Sequence, residues 1–271
     1  MTNVSRRQFL QFMGLTGLST QLRWLETPTA LQGRALGRVA VLERPQLNAT
    51  RLTTLWPDSV HRVSIHNADW LRVGQGYAPV TAFQPMLTPD PATTLTSFPA
   101  WAEVVAPVVV VRAYCAGDAP LRERLEHGQV VEVQRALQDD KGAQWLQVSN
   151  GWLQAEHVQA APMSSEQGPA TQLRIGQGMM EVFAHQKRIL RAACRTPRQL
   201  PAGGRLVQKQ PATQHGEPWY LDFGSVHLHG VCHHNQFGTN ATPCDDNCIE
   251  LPLLVARTLY LLIQNGAELV R

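Results

Sequence analysis

Apolar and polar residues alternate along much of this chain, which is the pattern of strands with one buried face. Two clear runs cover 60–65 and 130–133. Further runs near the C-terminus fall at 179–183, 188–192, 205–209, 219–221 and 225–228. The segment 251–265 differs, because its leucines recur at helical spacing, with Pro252 in the first turn and a glycine at the end. The pattern predicts a mainly β protein with a C-terminal helix.

An internal repeat divides the middle of the chain. The stretches WLRVGQGY at 70–77 and WLQVSNGW at 145–152 share W-L-x-V-x-x-G-aromatic without a gap. A glycine between two strands favours a tight hairpin in which a side chain is not tolerated. Each repeat has the size of a small barrel, with the two tryptophans of the second copy in its core. We therefore predict β domains at 36–86 and 107–160.

Breaks rich in proline, glycine and serine separate these units. One holds five prolines within 85–107 and predicts a stiff linker at 87–106. A second predicts a linker at 161–172, which leaves 173–271 as a final domain.

The N-terminus carries a transport signal. The residues SRRQFL at 5–10 form a twin-arginine pattern, and the apolar run at 12–18 that follows is too short to span a bilayer. We predict a signal and leader over 1–35, no stable transmembrane segment, and export to the periplasm or cell wall. The alternative is a short amphipathic helix that happens to begin with two arginines.

Composition narrows the class of protein. The chain has 271 residues, of which 44% are hydrophobic and 17% charged, as in ordinary globular proteins. The formal charge of +3 is scattered along the chain, so we expect no nucleic-acid partner.

The segment HLHGVCHHNQFGTNATPCDDNCIEL at 227–251 concentrates the candidate chemistry. Cys248 precedes the predicted helix, where free backbone amides and the helix dipole favour a thiolate. His229, at a strand end before Gly230, is positioned to take the thiol proton. The amides of Asn247 and Cys248 are candidates for holding an oxyanion.

This arrangement resembles the L,D-transpeptidase (YkuD-domain) family, whose motif is His-Gly at a strand end followed by Ser/Thr-His-Gly-Cys. His229 lies nineteen positions before Cys248, and HHNQFG at 233–238 is similar to W-H-N-D-F-G in some members. The resemblance implies a cysteine acyltransferase acting on peptidoglycan stem peptides without a cofactor. It implies Cys248 as nucleophile, His229 as base, Gly230 as its orienting neighbour and His234 and Asn235 beside the substrate.

The chain departs from that motif next to the cysteine. Asp245, Asp246 and Asn247 replace Ser-His-Gly, and Glu250 stands where the family has Asn or Arg. Carboxylates beside a thiol oppose its ionisation. An acidic lip that includes Asp246 and Glu250 would instead attract an amine, such as that of a diamino acid in a stem peptide. Activity with altered substrate preference and a disabled, wall-binding relic both remain open.

The two repeats resemble bacterial SH3-type domains, the second more closely than the first. That resemblance implies a peptide- or wall-binding role at the level of the fold. The fold class that we predict is therefore two small SH3-like barrels followed by an L,D-transpeptidase-like β domain.

The same cluster has two further interpretations. Its histidines and cysteines are good zinc ligands, and His227 and His229 on one strand face are a plausible ligand pair. Regularly spaced knuckles are lacking, however, so we expect no metal. A disulfide between Cys232 and Cys244, which would leave Cys248 free, is favoured over zinc. A Zn- or disulfide-stabilised binding module without turnover is the third class.

Overall fold

The computed structural model describes residues 31–90, 95–163, 168–200, 202–214, 216–245 and 247–271. The twin-arginine pattern and Asp246 lie outside these ranges. In the part of the chain that is described, no helix is both long enough and apolar enough to cross a membrane.

The first unit is a seven-stranded antiparallel sheet. Its strands are β1 (Leu31–Ala35), β2 (Val39–Leu42), β3 (Arg51–Leu55), β4 (Val60–Ile65), β5 (Trp70–Val73), β6 (Gly76–Pro79) and β7 (Phe83–Pro85). Their order in the sheet is β3-β2-β6-β5-β4-β1-β7. A 3₁₀ turn, Val80–Ala82, connects the last two strands.

The second unit divides its strands between two sheets. They are β8 (Ala100–Val104), β9 (Val108–Arg112), β10 (Leu121–Glu126), β11 (Val130–Val133), β12 (Arg135–Gln138), β13 (Gln144–Val148), β14 (Gly151–Gln154) and β15 (Val158–Ala160). The sheet orders are β10-β9-β14-β13-β12 and β11-β8-β15. A 3₁₀ turn, Ala155–His157, follows the repeat hairpin as in the first unit.

The third unit contains two sheets and the helix. Its strands are β16 (Ala170–Gly176), β17 (Met179–Ala184), β18 (Lys187–Ala193), β19 (Gly204–Arg205), β20 (Gln208–Ala212), β21 (Pro218–Asp222), β22 (His227–Val231), β23 (Cys248–Pro252) and β24 (Ile263–Val270), and the helix is α1 (Leu253–Leu262). The sheet orders are β18-β17-β16-β24-β19 and β20-β21-β22-β23.

The mainly β class and the C-terminal helix are confirmed, but two details of the prediction are wrong. The strand orders are open in all described residues, so closed barrels are not formed there. The helix is shorter than 251–265, because Leu251 and Pro252 extend β23 and Ile263 begins β24. Apolar residues at helical spacing continue into both strands, and pairing with neighbouring strands decides where the helix stops.

Strands occupy parts of three segments that were predicted as leader or linker. β1 lies inside the predicted leader, β8 inside the predicted linker 87–106, and β16 begins inside the linker 161–172. Proline and glycine therefore mark the ends of strands here rather than the ends of units. The assignment of the units as separate domains stays a prediction.

The repeat forms the same hairpin twice, and its glycine is needed in both copies because a side chain would collide with a neighbouring strand. Gly151 opens β14, and a Cβ there would lie 2.2 Å from the carbonyl oxygen of Arg112 on β9. At the matching position, a Cβ on Gly76 would lie 2.6 Å from the carbonyl oxygen of Leu42 on β2. Trp145 is buried, whereas Trp152 is half-buried under the Arg135 guanidinium, so only the first of them fills the core as predicted.

Two hydrophobic clusters hold the units together. One runs from the first unit into the third, and the other lies within the second unit. The buried Arg34 guanidinium bridges the three units, since it pairs with Asp58 at 2.7 Å and Glu126 at 3.4 Å and donates to the Cys232 carbonyl at 3.4 Å. The first and second units are therefore packed against the candidate site rather than tethered loosely to it.

A buried histidine ties the second unit to the segment after β7. His127 Nδ1 donates to the Val105 carbonyl at 3.1 Å, and Nε2 accepts from the Leu87 amide at 2.8 Å. A second proton, on Nε2, would point at the Leu87 N–H, so the His127 ring is held in its neutral form. Burial lowers the pKa of His127 to about 4, with Arg34 adding to the effect.

The lowered pKa of His127 predicts that the folded protein loses stability in acid. The unfolded chain takes up the proton near pH 6.5, whereas the folded chain takes it up only near pH 4. The stability that His127 contributes is therefore complete above about pH 6.5 and is lost as the pH falls, by about 3 kcal/mol in total. We expect urea unfolding between pH 7 and 4.5 to show a shallower pH dependence for His127→Gln than for the wild type. Identical slopes would contradict the assignment.

Candidate active site

The site is built on two parallel neighbouring strands. β22 pairs with β23 so that His227 lies opposite Cys248 and His229 opposite Glu250. Side chains alternate faces along a strand, so these four residues share one face of the sheet. On the opposite face, Leu228 and Ile249 are buried in the core. Burial of those two residues fixes which face the histidines and the cysteine occupy.

The central contact joins an imidazole to a thiol. His229 Nε2 lies 3.0 Å from Cys248 Sγ, and each residue is 7% exposed. His229 Nδ1 lies 3.1 Å from the carbonyl oxygen of Gly230 and donates its proton there. That hydrogen bond leaves the Nε2 lone pair facing the thiol. Cys248, His229 and Gly230 thus stand together as the sequence predicted.

Gly230 also lets the helix approach the site. A Cβ there would lie 3.1 Å from Ala256 Cβ on α1 and 3.3 Å from the Pro218 carbonyl oxygen on β21. A larger residue would push α1 away from β22 and disturb the carbonyl that orients His229.

The surroundings of Cys248 differ from the expected helix terminus. Cys248 is the first residue of β23, and α1 begins five residues later at Leu253. The helix dipole therefore does not act on this sulfur. The Cys248 N–H donates to the Asp245 carbonyl at 3.2 Å, and the Asn247 carbonyl accepts from the His227 N–H at 3.0 Å. The predicted oxyanion role of the Cys248 amide requires that the Asp245 contact be exchanged for substrate.

A second thiol lies beside the first. The Cys244 thiol donates to the Cys248 carbonyl at 2.8 Å. The hydrogen bond between the Cys244 and Cys248 side chains lowers the pKa of Cys244 and raises that of Cys248; burial raises the pKa of Cys248 further. Cys248 therefore rests as a neutral thiol, and a base must remove its proton during attack.

All five cysteines are free, so the expected Cys232–Cys244 disulfide is not formed. Cys232 is buried at the end of β22, whereas Cys244 faces Cys248 from the loop before β23. Burial holds the pKa of Cys232 far above its ordinary value, as expected for an inert core thiol.

A half-buried ion network supports the loop that carries Cys244 just before β23, called the cysteine loop below. Glu250 accepts from Arg195 at 2.8 Å and from His234 at 2.9 Å. Arg195 also donates to the carbonyls of Thr242 and Pro243. Burial alone would raise the pKa of Glu250, but His234 and Arg195 outweigh it and lower the pKa.

Three of the residues predicted on the substrate side lie in or beside this network. The side chains of Glu250 and His234 are 13% and 16% exposed and are satisfied by each other and by Arg195. Asn235 Nδ2 donates to the Val80 carbonyl of the first unit at 3.2 Å. These contacts cover most of the Glu250 carboxylate, and a substrate role of the three residues stays a prediction. Asp246 lies outside the described residues.

Two neighbours of the pair, Glu217 and Tyr220, were missed from the sequence. Glu217 Oε1 lies 3.9 Å from His229 Nε2, and its half-exposed side chain marks the solvent side of the site. The His227 ring stacks between Tyr220 and His229, with centroid distances of 5.4 and 5.8 Å. Burial lowers the pKa of His227, and His229 adds to that shift. Strand alternation placed His227 and His229 on one face, but nothing in the sequence indicated that β21, which carries Tyr220, is their neighbour.

The fold and the site define a mainly β protein with a buried cysteine–histidine pair. No family model and no curated protein matches the chain. Among solved structures it is similar to an L,D-transpeptidase (Yku) from Stackebrandtia nassauensis, with 15% identity, a TM-score of 0.32, and coverage of 40% of this chain and 57% of that one. It is also similar to a fused Zn-dependent amidase/peptidase/peptidoglycan-binding domain-containing protein from Clostridium acetobutylicum ATCC 824, with 14% identity, a TM-score of 0.28, and coverage of 36% and 49%. The chain spans about half the length of these structures.

The network around Arg195 gives a prediction for stability. Arg195→Gln leaves the half-buried Glu250 carboxylate with a weaker partner, so we expect a loss of about 2 kcal/mol in the free energy of unfolding. Amide exchange over 242–245 should also become faster, because the carbonyl contacts of the guanidinium are lost. Arg205→Gln, which breaks the exposed pair with Glu268, serves as the control and should cost less than about 0.5 kcal/mol. Equal losses in the two variants would show that the network does not hold the loop.

Proposed function

We propose that this protein is an exported cysteine acyltransferase that acts on peptidoglycan stem peptides, by L,D-transpeptidation or related L,D-peptide cleavage. The observation that carries the proposal is the 3.0 Å contact between His229 Nε2 and Cys248 Sγ, with His229 oriented by the Gly230 carbonyl. Nucleophile, base and orienting group are the minimum set for acyl transfer through a thioester. The substrate class comes from the resemblance of the His-Gly and Cys segments to L,D-transpeptidases.

The first half-reaction transfers an acyl group to sulfur. His229 Nε2 takes the Cys248 proton as Sγ attacks the carbonyl carbon of the L-centre in an L,D-peptide bond. The tetrahedral intermediate collapses, the C–N bond breaks, and the departing D-amino acid takes the proton from His229. The product is a thioester on Cys248. The amides of Asn247 and Cys248 would stabilise the oxyanion after the Asp245 contact has been exchanged.

The second half-reaction releases the enzyme. An amine or water attacks the thioester, His229 takes the proton of the attacking group, and the sulfur leaves as a thiol once that proton returns to it. An amine acceptor gives a cross-link and water gives a shortened stem. The high resting pKa of Cys248 assigns proton removal to His229 at the moment of attack rather than to a preformed thiolate.

The N-terminal units would hold the wall polymer. Both carry the repeat hairpin, and the first contacts the site directly through Val80 and Asn235. Binding of the polymer by these SH3-like units would raise its local concentration near Cys248. The twin-arginine pattern at 5–10 supports export to the periplasm or cell wall as part of this proposal.

A second candidate function is wall binding without turnover. The observation that favours it is the raised pKa of Cys248, to which the Cys244 thiol, burial, Glu250 and Glu217 contribute in that order. The experiment below separates the two functions.

Covalent trapping tests the proposal. Incubation with a peptidoglycan tetrapeptide stem should give a mass adduct on Cys248 equal to the stem without its terminal D-amino acid. We expect Cys248→Ala to abolish the adduct and His229→Gln to slow its formation by about 10²- to 10⁴-fold, because the base is lost.

The control is Cys115→Ser, which removes a thiol of the second unit and should leave the adduct and its rate unchanged. Stem binding without any adduct would establish the binding function instead. An adduct on Cys244 would show that the nucleophile has been misassigned.

A further inference from the structure

We propose that His227, His229 and Cys248 together bind one Zn²⁺ ion, and that this ion reversibly switches off the catalytic pair. The inhibitory part of the inference rests on the proposed function, whereas the metal site stands on geometry alone. This proposal departs from our expectation of no metal, because pairing of β22 with β23 brings Cys248 beside the two histidines.

The ligand atoms already form a compact set. One atom from each of His227, His229 and Cys248 lies within 4.8 Å of the other two. In a tetrahedral site the metal lies about 2.0–2.1 Å from a histidine nitrogen and about 2.3 Å from a cysteine sulfur, so ligand atoms are separated by about 3.5 Å. The 3.0 Å distance between His229 Nε2 and Cys248 Sγ needs to open by only about half an ångström to admit the ion.

The ligands are held by strands rather than by a mobile loop. His227 and His229 are alternate residues of β22, and Cys248 begins β23 opposite His227. The hydrogen bond from His229 Nδ1 to the Gly230 carbonyl leaves Nε2 available for a metal. A backbone carbonyl in this position is the usual outer partner of a zinc-bound histidine. Tyr220 stacks on the His227 ring and limits its orientation.

The charged groups around the three ligand residues suit a divalent cation. Glu217 Oε1 lies 3.9 Å from His229 Nε2, and Glu217 is 37% exposed at the solvent side. Its carboxylate can approach the fourth position or orient a water there. A Cys248 thiolate and the Glu217 carboxylate together balance the two positive charges of the ion, which removes the cost of a buried net charge. Two nitrogens and one sulfur favour Zn²⁺ over Mg²⁺ or Ca²⁺.

His227 distinguishes the proposed metal site from the catalytic pair, because it belongs only to the metal site. Proton transfer from Cys248 needs His229 alone, and the reaction proposed above gives His227 no role. With the ion bound, the lone pair of His229 Nε2 and the sulfur of Cys248 both coordinate the metal. The loaded protein then has neither a base nor a nucleophile, so acyl transfer stops until the ion leaves.

Binding is tested first without substrate, on the full chain freed of metal with a chelator. Co²⁺ added as a spectroscopic substitute should give a thiolate-to-cobalt charge-transfer band and tetrahedral visible bands, saturating at one ion per chain. Zn²⁺ should displace it. Cys248→Ser should remove the charge-transfer band, and His227→Gln should weaken binding by about tenfold or more. His66→Gln, an exposed histidine of the first unit, is the matched control and should bind as the wild type does.

The second arm measures regulation. With free Zn²⁺ at about ten times its Kd, about nine-tenths of the sites are filled, so adduct formation on Cys248 should fall about tenfold and recover with chelator. In His227→Gln, whose affinity is weaker by about tenfold or more, the same Zn²⁺ concentration should fill about half of the sites or fewer, so the rate should fall by about twofold at most from that variant's own metal-free rate. Zn²⁺ should also protect Cys248, but not Cys115, from alkylation in the wild type, which tests the site without any substitution.

The outcomes distinguish the two proposals. Adduct formation without a cobalt band, or equal metal affinity in His227→Gln and wild type, overturns the metal site and leaves the acyltransferase standing. A cobalt band without any adduct on the metal-free protein overturns the acyltransferase and its inhibition, while the binding site itself remains.

Discussion

The parallel pairing of β22 with β23 is the constraint on which the site depends. It places His227 opposite Cys248 and turns Leu228 and Ile249 together into the core. A slip of one residue would bury the imidazoles and expose the leucine and isoleucine, so the hydrophobic face enforces the register. The 3.0 Å contact between base and sulfur follows from that register and from the Gly230 carbonyl that fixes the ring.

A half-buried ion network gives the acidic residue Glu250 a structural role beside the cysteine loop. Glu250 stands where an Asn or Arg is expected, and on its own it would add a carboxylate beside the thiol. Arg195 and His234 instead hold it in a satisfied cluster whose guanidinium also binds two carbonyls of the cysteine loop. The acidic departure in sequence thus becomes a support for the loop, although Glu250 still contributes to the raised pKa of Cys248.

The three units act as one support for this loop. Arg34 links residues of all three, and the buried Glu103 of β8 pairs with Arg257 of α1 at 3.1 Å. Burial raises the pKa of Glu103, and Arg257 opposes that rise. Because the second unit contacts α1 through Glu103 and the first unit binds Asn235, changes in either unit can reach the strands of the candidate site through packed side chains.

The sequence by itself determined the local features. Alternation identified β4 and β11 at their observed bounds, the repeated W-L-x-V-x-x-G-aromatic pattern identified two hairpins, and the His-Gly and Cys segments identified the pair that meets at the site. Tertiary structure decided the rest: the strand that carries Cys248, the open sheets, and the neighbours Arg195, Glu217 and Tyr220. The alternation of apolar and polar residues along one strand fixes which face each side chain occupies. The identity of the neighbouring strand is instead set by pairing between segments that are distant in the sequence and compete for one core.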